Sequence, residues 1–196
     1  NIRGGREKGE KAGLREQHLQ AVRAIAELCD AETKGLELGS KQLEFVPRGI
    51  TKRKLNVKIE TAGSTALALQ ALIIPGIKYN LEIKINGGAT WNKWAPSVAY
   101  LQNVLVPLLQ RIGYEIKINI IKEGFYRAGG ANLEIQTNAA KEIKPLVLEE
   151  RGNLKSINGI SIASNFLKKA QVAERQAKST RKILESELKN YNIKIF

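Results

Sequence analysis

Apolar side chains recur at helical spacing near the start of the chain. Over residues 14–29 the apolar positions run from Leu14 to Cys29, which predicts a helix that packs one face on a core. Farther along, apolar and polar residues alternate, which predicts strands with one exposed face. The predicted strands lie in GLELGSKQLEFVP, after a turn, and in KRKLNVKIE, NLEIKING, YEIKINIIKEG and ANLEIQTN.

Two more helices are predicted between these strands. TAGSTALALQALIIPG has an apolar interior, with Thr61 as its predicted N-cap and Pro75-Gly76 as its end. APSVAYLQNVLVPLLQRIG ends near Gly113, and Pro107 predicts a kink or break within it. Helices and strands therefore alternate along this part of the chain.

The alternation contains an internal repeat. Residues 2–5 (IRGG) line up with residues 85–88 (INGG), and each segment is followed by a helix of matching length and then by strands. This predicts a duplicated βαβαββ unit rather than a solenoid, whose repeats are shorter. We therefore predict an α+β fold with two-layer packing, in which helices cover one face of each sheet.

The sequence changes character near residue 151. LKSINGISIAS predicts a strand, residues 165–191 predict a long charged helix, and NIKIF predicts another strand. We expect residues 1–150 to form a large domain of repeated units, the first incomplete, and residues 151–196 to begin a smaller α/β domain. The final strand, the initial Asn1 and the lack of methionine predict that the chain is a piece of a longer protein.

The charge balance points to a polyanionic partner. The chain carries 32 lysine and arginine residues against 19 acidic ones, a formal net charge of +13, and such an excess is typical of nucleic-acid binding. A membrane partner is not expected, because the longest apolar stretch, TALALQALIIP, is too short to span a bilayer. Cys29 is the only cysteine and lies at an apolar helix position, which predicts a buried thiol and a reducing, cytoplasmic location.

The basic segment NIRGGREKGEKAGLREQHLQAV holds the first candidate site. Arg3 and Arg6 stand beside glycines ahead of a helix start, where guanidinium groups and backbone amides suit phosphate oxygens. Gln17 and His18 follow, close enough to hydrogen-bond a sugar or a phosphate. A basic surface loop with His18 packed against the helix explains the same residues, and nothing near His18 in the sequence orients it as a nucleophile.

Four other features carry weaker signals. TAGST could hold an anion or simply cap a helix, and Gln70 either satisfies a backbone group or reaches a ligand. The aromatic residues of WNKWAPSVAY suit base stacking or packing under a loop, and GFYRAGG suits close backbone approach or a plain hairpin. The sequence has no P-loop motif and no Cys/His cluster for a metal.

Taken in order, these motifs resemble the RNA 3′-terminal phosphate cyclase family. The resemblance covers residues 1–165, and the ordered combination is specific. The matching stretches are NIRGGR, GLREQHL, ELCDAETKGLELGSKQLEF, TAGSTALALQ, INGG, WAPSVAYLQNVLVPLLQRIG, GFYRAGG and LEERGNL. Enolpyruvyl transferases share the architecture more distantly, but they lack the Arg and Gln-His opening.

The resemblance implies an ATP-dependent enzyme that uses Mg²⁺ or Mn²⁺. Such an enzyme converts an RNA 3′-terminal phosphate into a 2′,3′-cyclic phosphate through histidine–AMP and RNA–adenylate intermediates. By position, Arg3 and Arg6 match a phosphate-handling loop. The other matched residues are Gln17 and His18 beside the nucleotide, Gln70 near ATP, and Pro96, Ser97 and Tyr100 around the adenine.

The chain departs from the family pattern in its loops and in its extent. The loop after Arg6 is longer and lacks a proline, Trp91 and its neighbours lack an aspartate, and Ser97, Arg127 and Ala131 replace two prolines and a glycine. The family's N-terminal Gly-Glu-Gly-Gly-Gly-Gln motif and its nucleophilic histidine lie outside this stretch, and residues 151–196 match the start of a domain inserted into a third repeat. We therefore expect this chain alone not to complete the reaction. The alternative is a non-catalytic relative that binds RNA in ribosome assembly.

Overall fold

The computed structural model describes residues 2–3, 12–93 and 95–196. The chain divides into two compact units, Asn1–Leu146 and Val147–Phe196, whereas the sequence analysis places the boundary after residue 150. No helix in the described part of the chain is long and apolar enough to cross a membrane.

The first unit opens with a partial repeat. Its elements are β1 (Ile2–Arg3), α1 (Glu16–Cys29), β2 (Glu32–Lys34) and β3 (Gln42–Val46). The strands form a sheet in the order β1-β3-β2, with both neighbouring pairs antiparallel. The helix begins at Glu16, two residues later than the apolar spacing alone suggests, because the backbone at Arg15 is still extended and forms the N-cap.

A complete βαβαββ unit follows. Its elements are β4 (Lys54–Ser64), α2 (Thr65–Gly76), β5 (Leu81–Ala89), α3 (Val98–Tyr100), a π-helical turn (Leu101–Leu105), α4 (Val106–Arg111), β6 (Glu115–Lys122) and β7 (Asn132–Asn138). The sheet order is β4-β5-β7-β6, with β4 parallel to β5 and the other neighbours antiparallel. The order β5-β7-β6 repeats the order β1-β3-β2 of the partial unit, so the predicted α+β fold of repeated units is confirmed.

The core lies between the sheet and the helices on one of its faces. Every second residue is buried over residues 54–60 of β4, residues 81–86 of β5 and the whole of β7, as the alternating pattern predicts. Leu28 of α1 and Leu72 of α2 are fully buried in the same cluster as Ile85 and Leu133 of the sheet. Burying one such side chain contributes about 1.5–3 kcal/mol, so the alternation selects which face of the sheet meets the helices.

The prediction that Thr61 caps α2 is wrong. Residues 61–64 continue β4 beyond a bulge, and the backbone turns into the helix only at Thr65. Ser64 is the N-cap, and its side chain accepts a hydrogen bond from the Leu67 amide at 3.2 Å. The N-cap lies three residues later than predicted because Ser64 pairs with Ala89 of β5, which keeps the chain extended up to that point.

Pro107 interrupts the next helix as predicted. The five residues Leu101–Leu105 form a π-helical turn, and Pro107 stands at the start of α4. Proline has no amide hydrogen and its ring collides with the preceding helical turn, so a widened turn before it accommodates the ring.

The second unit is built around two parallel strands. Its elements are β8 (Ser156–Gly159), a 3-10 helix (Asn165–Ala170), α5 (Val172–Glu187) and β9 (Asn192–Ile195), with β8 and β9 paired parallel. The long helix expected over residues 165–191 is therefore divided, because Gln171 adopts a left-handed backbone with φ of 47°. Ala173, Ala177 and Leu184 lie on one face of α5 and are half-buried.

Candidate functional site

A cleft of 930 Å³ opens at one end of the four-stranded sheet. Four segments of the first unit supply its described walls: the start of α1, the end of β4, the loop after β5 and the loop between β6 and β7. The described lining residues are Gln17, His18, Ala62, Asn92, Lys93, Ala95 and Tyr126. The cleft therefore collects residues that are far apart in the sequence.

Glycines allow three of these segments to pack backbone against backbone. Gly88, at the end of β5, has φ of +72°, and a Cβ there would lie 2.8 Å from the Gly63 carbonyl oxygen. A Cβ at Gly129 would lie 3.0 Å from the Gly88 carbonyl oxygen and 3.1 Å from that of Thr61. Side chains at these positions would separate the segments. The motifs TAGST, INGG and GFYRAGG thus meet beside one cleft. GFYRAGG connects two strands as a hairpin, and its backbone also packs closely against the other two motifs.

The start of α1 orients His18. The Arg15 amide donates to His18 Nδ1 at 3.0 Å, and the His18 amide donates to the Arg15 carbonyl at 2.8 Å. Because Nδ1 accepts a hydrogen bond, the neutral ring carries its proton on Nε2. The orienting group is a backbone amide of the helix cap, which side-chain identities do not reveal. The nucleotide-binding role of His18 stays a prediction.

Gln17 stands beside the end of β4. A Cβ at Gly63 would lie 3.5 Å from the Gln17 Cβ, an ordinary contact distance, so the start of α1 lies against the end of β4. Gln17 and His18 are both half-buried and both line the cleft. Together they present an amide and an imidazole, two groups that hydrogen-bond sugars and phosphates.

The loop after β5 contributes Asn92, Lys93 and Ala95 to the cleft. Asn92 Nδ2 donates to the Ala89 carbonyl at 3.0 Å, which ties the loop to the end of its own strand. The Lys93 ammonium group is a cation in the described lining and can attract an anionic ligand. Across the cleft, Tyr126 is 75% exposed, so its ring offers an aromatic surface to solvent.

The other site residues predicted from the sequence are not among the described residues that line the cleft. Arg3 lies in β1, where it pairs with Gln42, and Arg6 lies outside the described residues, as does Trp94. Gln70 is half-buried on α2 and is not among the described lining residues. Pro96, Ser97 and Tyr100 follow Ala95 along the chain and are also not among them.

Ser97 has a structural contact that the sequence analysis did not predict. Its Oγ accepts a hydrogen bond from the Tyr100 amide at 3.1 Å, so Ser97 is the N-cap of α3. Tyr100 is 51% exposed. The nucleotide roles of Gln70, Pro96, Ser97 and Tyr100 therefore stay predictions.

Sequence reasoning did not single out Asn92, Lys93 or Glu123, and it treated Tyr126 only as part of a glycine loop. Asn92 and Lys93 lie in the segment that was examined for its tryptophans. A signal for them was their position in the loop that follows a strand with two glycines near its end, since such loops often carry functional residues.

Among the described residues, no group of three or more His, Cys, Asp or Glu side chains could hold a metal ion. Cys29 is buried, as predicted, and its Sγ donates to the Ile25 carbonyl at 3.1 Å. Burial raises the pKa of the Cys29 thiol, which disfavours the reactive thiolate.

Comparison with known proteins decides the family. Residues 1–184 match the sequence family described as RNA 3′-terminal phosphate cyclase. The chain belongs to the RNA 3′-terminal phosphate cyclase family. The sequence-based recognition of this family is therefore confirmed.

Several RNA 3′-terminal phosphate cyclases are similar to this chain. RNA 3′-terminal phosphate cyclase of Methanopyrus kandleri is 40% identical over 190 residues, which cover 96% of this chain and 52% of that protein. The cyclase of Methanothermobacter thermautotrophicus is 40% identical over 185 residues, with coverage of 94% and 53%. That of Hyperthermus butylicus is 40% identical over 196 residues, with coverage of 97% and 53%. The chain spans about half the length of these curated relatives.

Proposed function

We propose that the protein is an RNA 3′-terminal phosphate cyclase and that the cleft forms part of its substrate site. The observation that carries the proposal is the convergence of four family motifs, Gln17-His18, TAGST, INGG and GFYRAGG, on one cleft. The names of the relatives support the same activity. The proposed substrate is RNA that ends in a 3′-phosphate.

The proposed reaction depends on ATP and proceeds through two transfers of AMP. A histidine of the whole protein, outside this chain, takes AMP from ATP with release of pyrophosphate. The AMP then passes to the terminal phosphate of the RNA and frees the histidine. The neighbouring ribose 2′-OH attacks that phosphate, loses its proton and displaces AMP, which closes the 2′,3′-cyclic phosphate. This course follows the family resemblance.

The described cleft fits phosphate-bearing substrates. Lys93 supplies positive charge, and Gln17 and Asn92 supply amide groups on the same surface. We assign Lys93, Gln17 and Asn92 to phosphate and ribose groups, and the exposed ring of Tyr126 to a nucleobase. ATP supplies the adenylyl group when bound.

The resemblance implies Mg²⁺ or Mn²⁺, but the described residues do not form a cluster of three or more potential ligands. Magnesium is often held by one or two carboxylates together with substrate phosphates, so a complete protein site is not required. No residue of this chain is therefore assigned to the metal.

Binding of matched oligonucleotides tests the proposed substrate site. We expect a short single-stranded RNA with a 3′-phosphate to bind more tightly than the same RNA with a 3′-hydroxyl, measured by fluorescence anisotropy. Lys93→Ala should reduce that preference by about tenfold or more, because a hydrogen bond to a charged group contributes about 1.5–3 kcal/mol. Lys54→Ala is the matched control, since Lys54 pairs with Glu82 at 2.9 Å on the sheet, apart from the described lining. Equal binding of the two RNAs would contradict the proposal.

The covalent step is tested by intact mass. We expect the natural full-length protein, incubated with ATP and magnesium and then denatured, to gain the mass of one AMP group. Absence of the adduct, with preserved RNA binding, would instead favour the non-catalytic RNA-binding relative.

A further inference from the structure

Two of the loops that line the cleft are joined to each other by residues that are not among the described lining residues. One loop follows β5 and carries Asn92, Lys93 and Ala95, and the other connects β6 to β7 and carries Tyr126. The Thr90 amide donates to the Gly124 carbonyl at 2.9 Å, and the Gly124 amide donates to Thr90 Oγ1 at 3.1 Å. The backbones of the two loops are thus paired at their bases.

Glu123 adds side-chain bonds to this junction. Its carboxylate accepts a hydrogen bond from the Thr90 hydroxyl and another from Trp91 Nε1, the latter at 3.2 Å. Glu123 is half-buried, and Thr90 is only 1% exposed. Hydrogen bonds to a carboxylate are about twice as strong as bonds between neutral groups, and partial burial limits competition from water.

The positions of these residues link the junction to the cleft. Trp91 directly precedes Asn92 and Lys93, so a bond that fixes the indole also fixes the start of the lining segment. Glu123 precedes Tyr126 by three residues and is not itself among the described lining residues. Its effect on a ligand must therefore pass through the loops that it joins.

We infer that Glu123 is a positioning residue that holds the Asn92–Lys93 wall and the Tyr126 wall at the separation a phosphate-bearing nucleic-acid end requires. The inference rests on the proposed function, and it adds a role for an acidic residue in a basic, anion-binding site. A carboxylate near the cleft would repel phosphates if it faced them. Here its Oε2 accepts from the Thr90 hydroxyl and the Trp91 indole, and none of these three residues is among the described lining residues, so Glu123 organises the site instead.

The variants separate this role from a general effect on folding. Glu123→Ala removes both bonds, Glu123→Gln keeps one carbonyl acceptor of the same shape, and Trp91→Phe removes the indole donor. Glu134→Ala is the matched control, because Glu134 lies on β7 of the same sheet and pairs with Lys84 at 3.2 Å. Each variant is compared with the unchanged chain by thermal unfolding and by binding of 3′-phosphate RNA.

We expect Glu123→Ala to weaken binding of the 3′-phosphate RNA by about tenfold, because loosened side chains must be ordered when the ligand binds. Glu123→Gln should restore part of that loss, and Glu134→Ala should bind as the unchanged chain does. Trp91→Phe should weaken RNA binding less when it is added to Glu123→Ala than when it is made in the unchanged chain, since the two changes remove the same bond. Equal binding by Glu123→Ala and the unchanged chain would overturn the inference.

Tryptophan emission gives a readout that does not depend on RNA. The chain has two tryptophans, so a Trp94→Phe background leaves Trp91 as the reporter. In that background we expect Glu123→Ala to shift the emission to longer wavelength and to increase acrylamide quenching. If neither changes, the Glu123–Trp91 link is refuted whatever the RNA result. If the unchanged chain does not distinguish 3′-phosphate from 3′-hydroxyl RNA, the proposed substrate site fails and the positioning role fails with it.

Discussion

The two units of the chain have similar patterns in sequence but different burial in the structure. In the first unit, helices cover one face of a four-stranded sheet, and Leu133 and Ile85 are fully buried between them. In the second, α5 accompanies two parallel strands, and none of the described residues 147–196 is buried. Both units carry amphipathic helices and alternating strands. Periodicity therefore predicts an element and its inward face, but the degree of burial depends on how many elements meet that face.

The largest expected difference is between a buried leucine of the first unit and a half-buried leucine of the second. Leu133→Ala should lower the free energy of unfolding by about 2–5 kcal/mol, because it leaves a cavity in a close-packed core. Leu184→Ala, at a half-buried position of α5, should cost less than about 1 kcal/mol. Urea unfolding followed by far-ultraviolet circular dichroism checks both values, since helices and strands of both units contribute to that signal. Equal shifts of the midpoint would mean that the two units unfold together.

A second contrast concerns glycines with the same backbone conformation. Gly88 has φ of +72° and Gly152 has φ of +70°, but a Cβ at Gly152 would meet nothing within 4 Å. Alanine at either position incurs the cost of a left-handed backbone, and Gly88→Ala also collides with Gly63 and Thr65. We expect Gly88→Ala to lower the free energy of unfolding by about 1–3 kcal/mol more than Gly152→Ala does, measured by chemical denaturation. A loss at Gly152 as large as at Gly88 would show that backbone conformation, and not packing, sets the cost.

The smallest expected effect is a pH dependence confined to the first unit. Burial raises the pKa of Tyr114 from 10.0 to about 12, while its hydroxyl donates to the Ile73 carbonyl at 2.7 Å. The folded state holds the phenol proton more tightly than the unfolded chain, so the stabilisation is complete below pH 10 and decreases as the pH rises toward 12. The urea midpoint should fall across that range and should fall less in Tyr114→Phe. An equally steep decline in that variant would assign the effect to other groups.

Much of the site was visible in the sequence as separate pieces. The glycine motifs, Gln17 and His18 were singled out because their residue types suit phosphate binding and close backbone approach. Their convergence could not be derived from spacing, because β4, β5 and the β6–β7 connection come together only through strand pairing over long sequence separations. The Thr61 cap was predicted wrongly for the same reason: pairing of Ser64 with Ala89 keeps the chain extended past Thr61.

The sequence by itself determined the elements, their order and the repeated unit, because hydrophobic periodicity and turn residues act over a few positions. It also carried the family motifs. Only the tertiary structure decided which loops share a wall, that a backbone amide orients His18, and that Glu123 receives the Thr90 hydroxyl and the Trp91 indole. Those contacts join residues about thirty positions apart or involve groups common to every residue, so their formation depends on how whole elements pack.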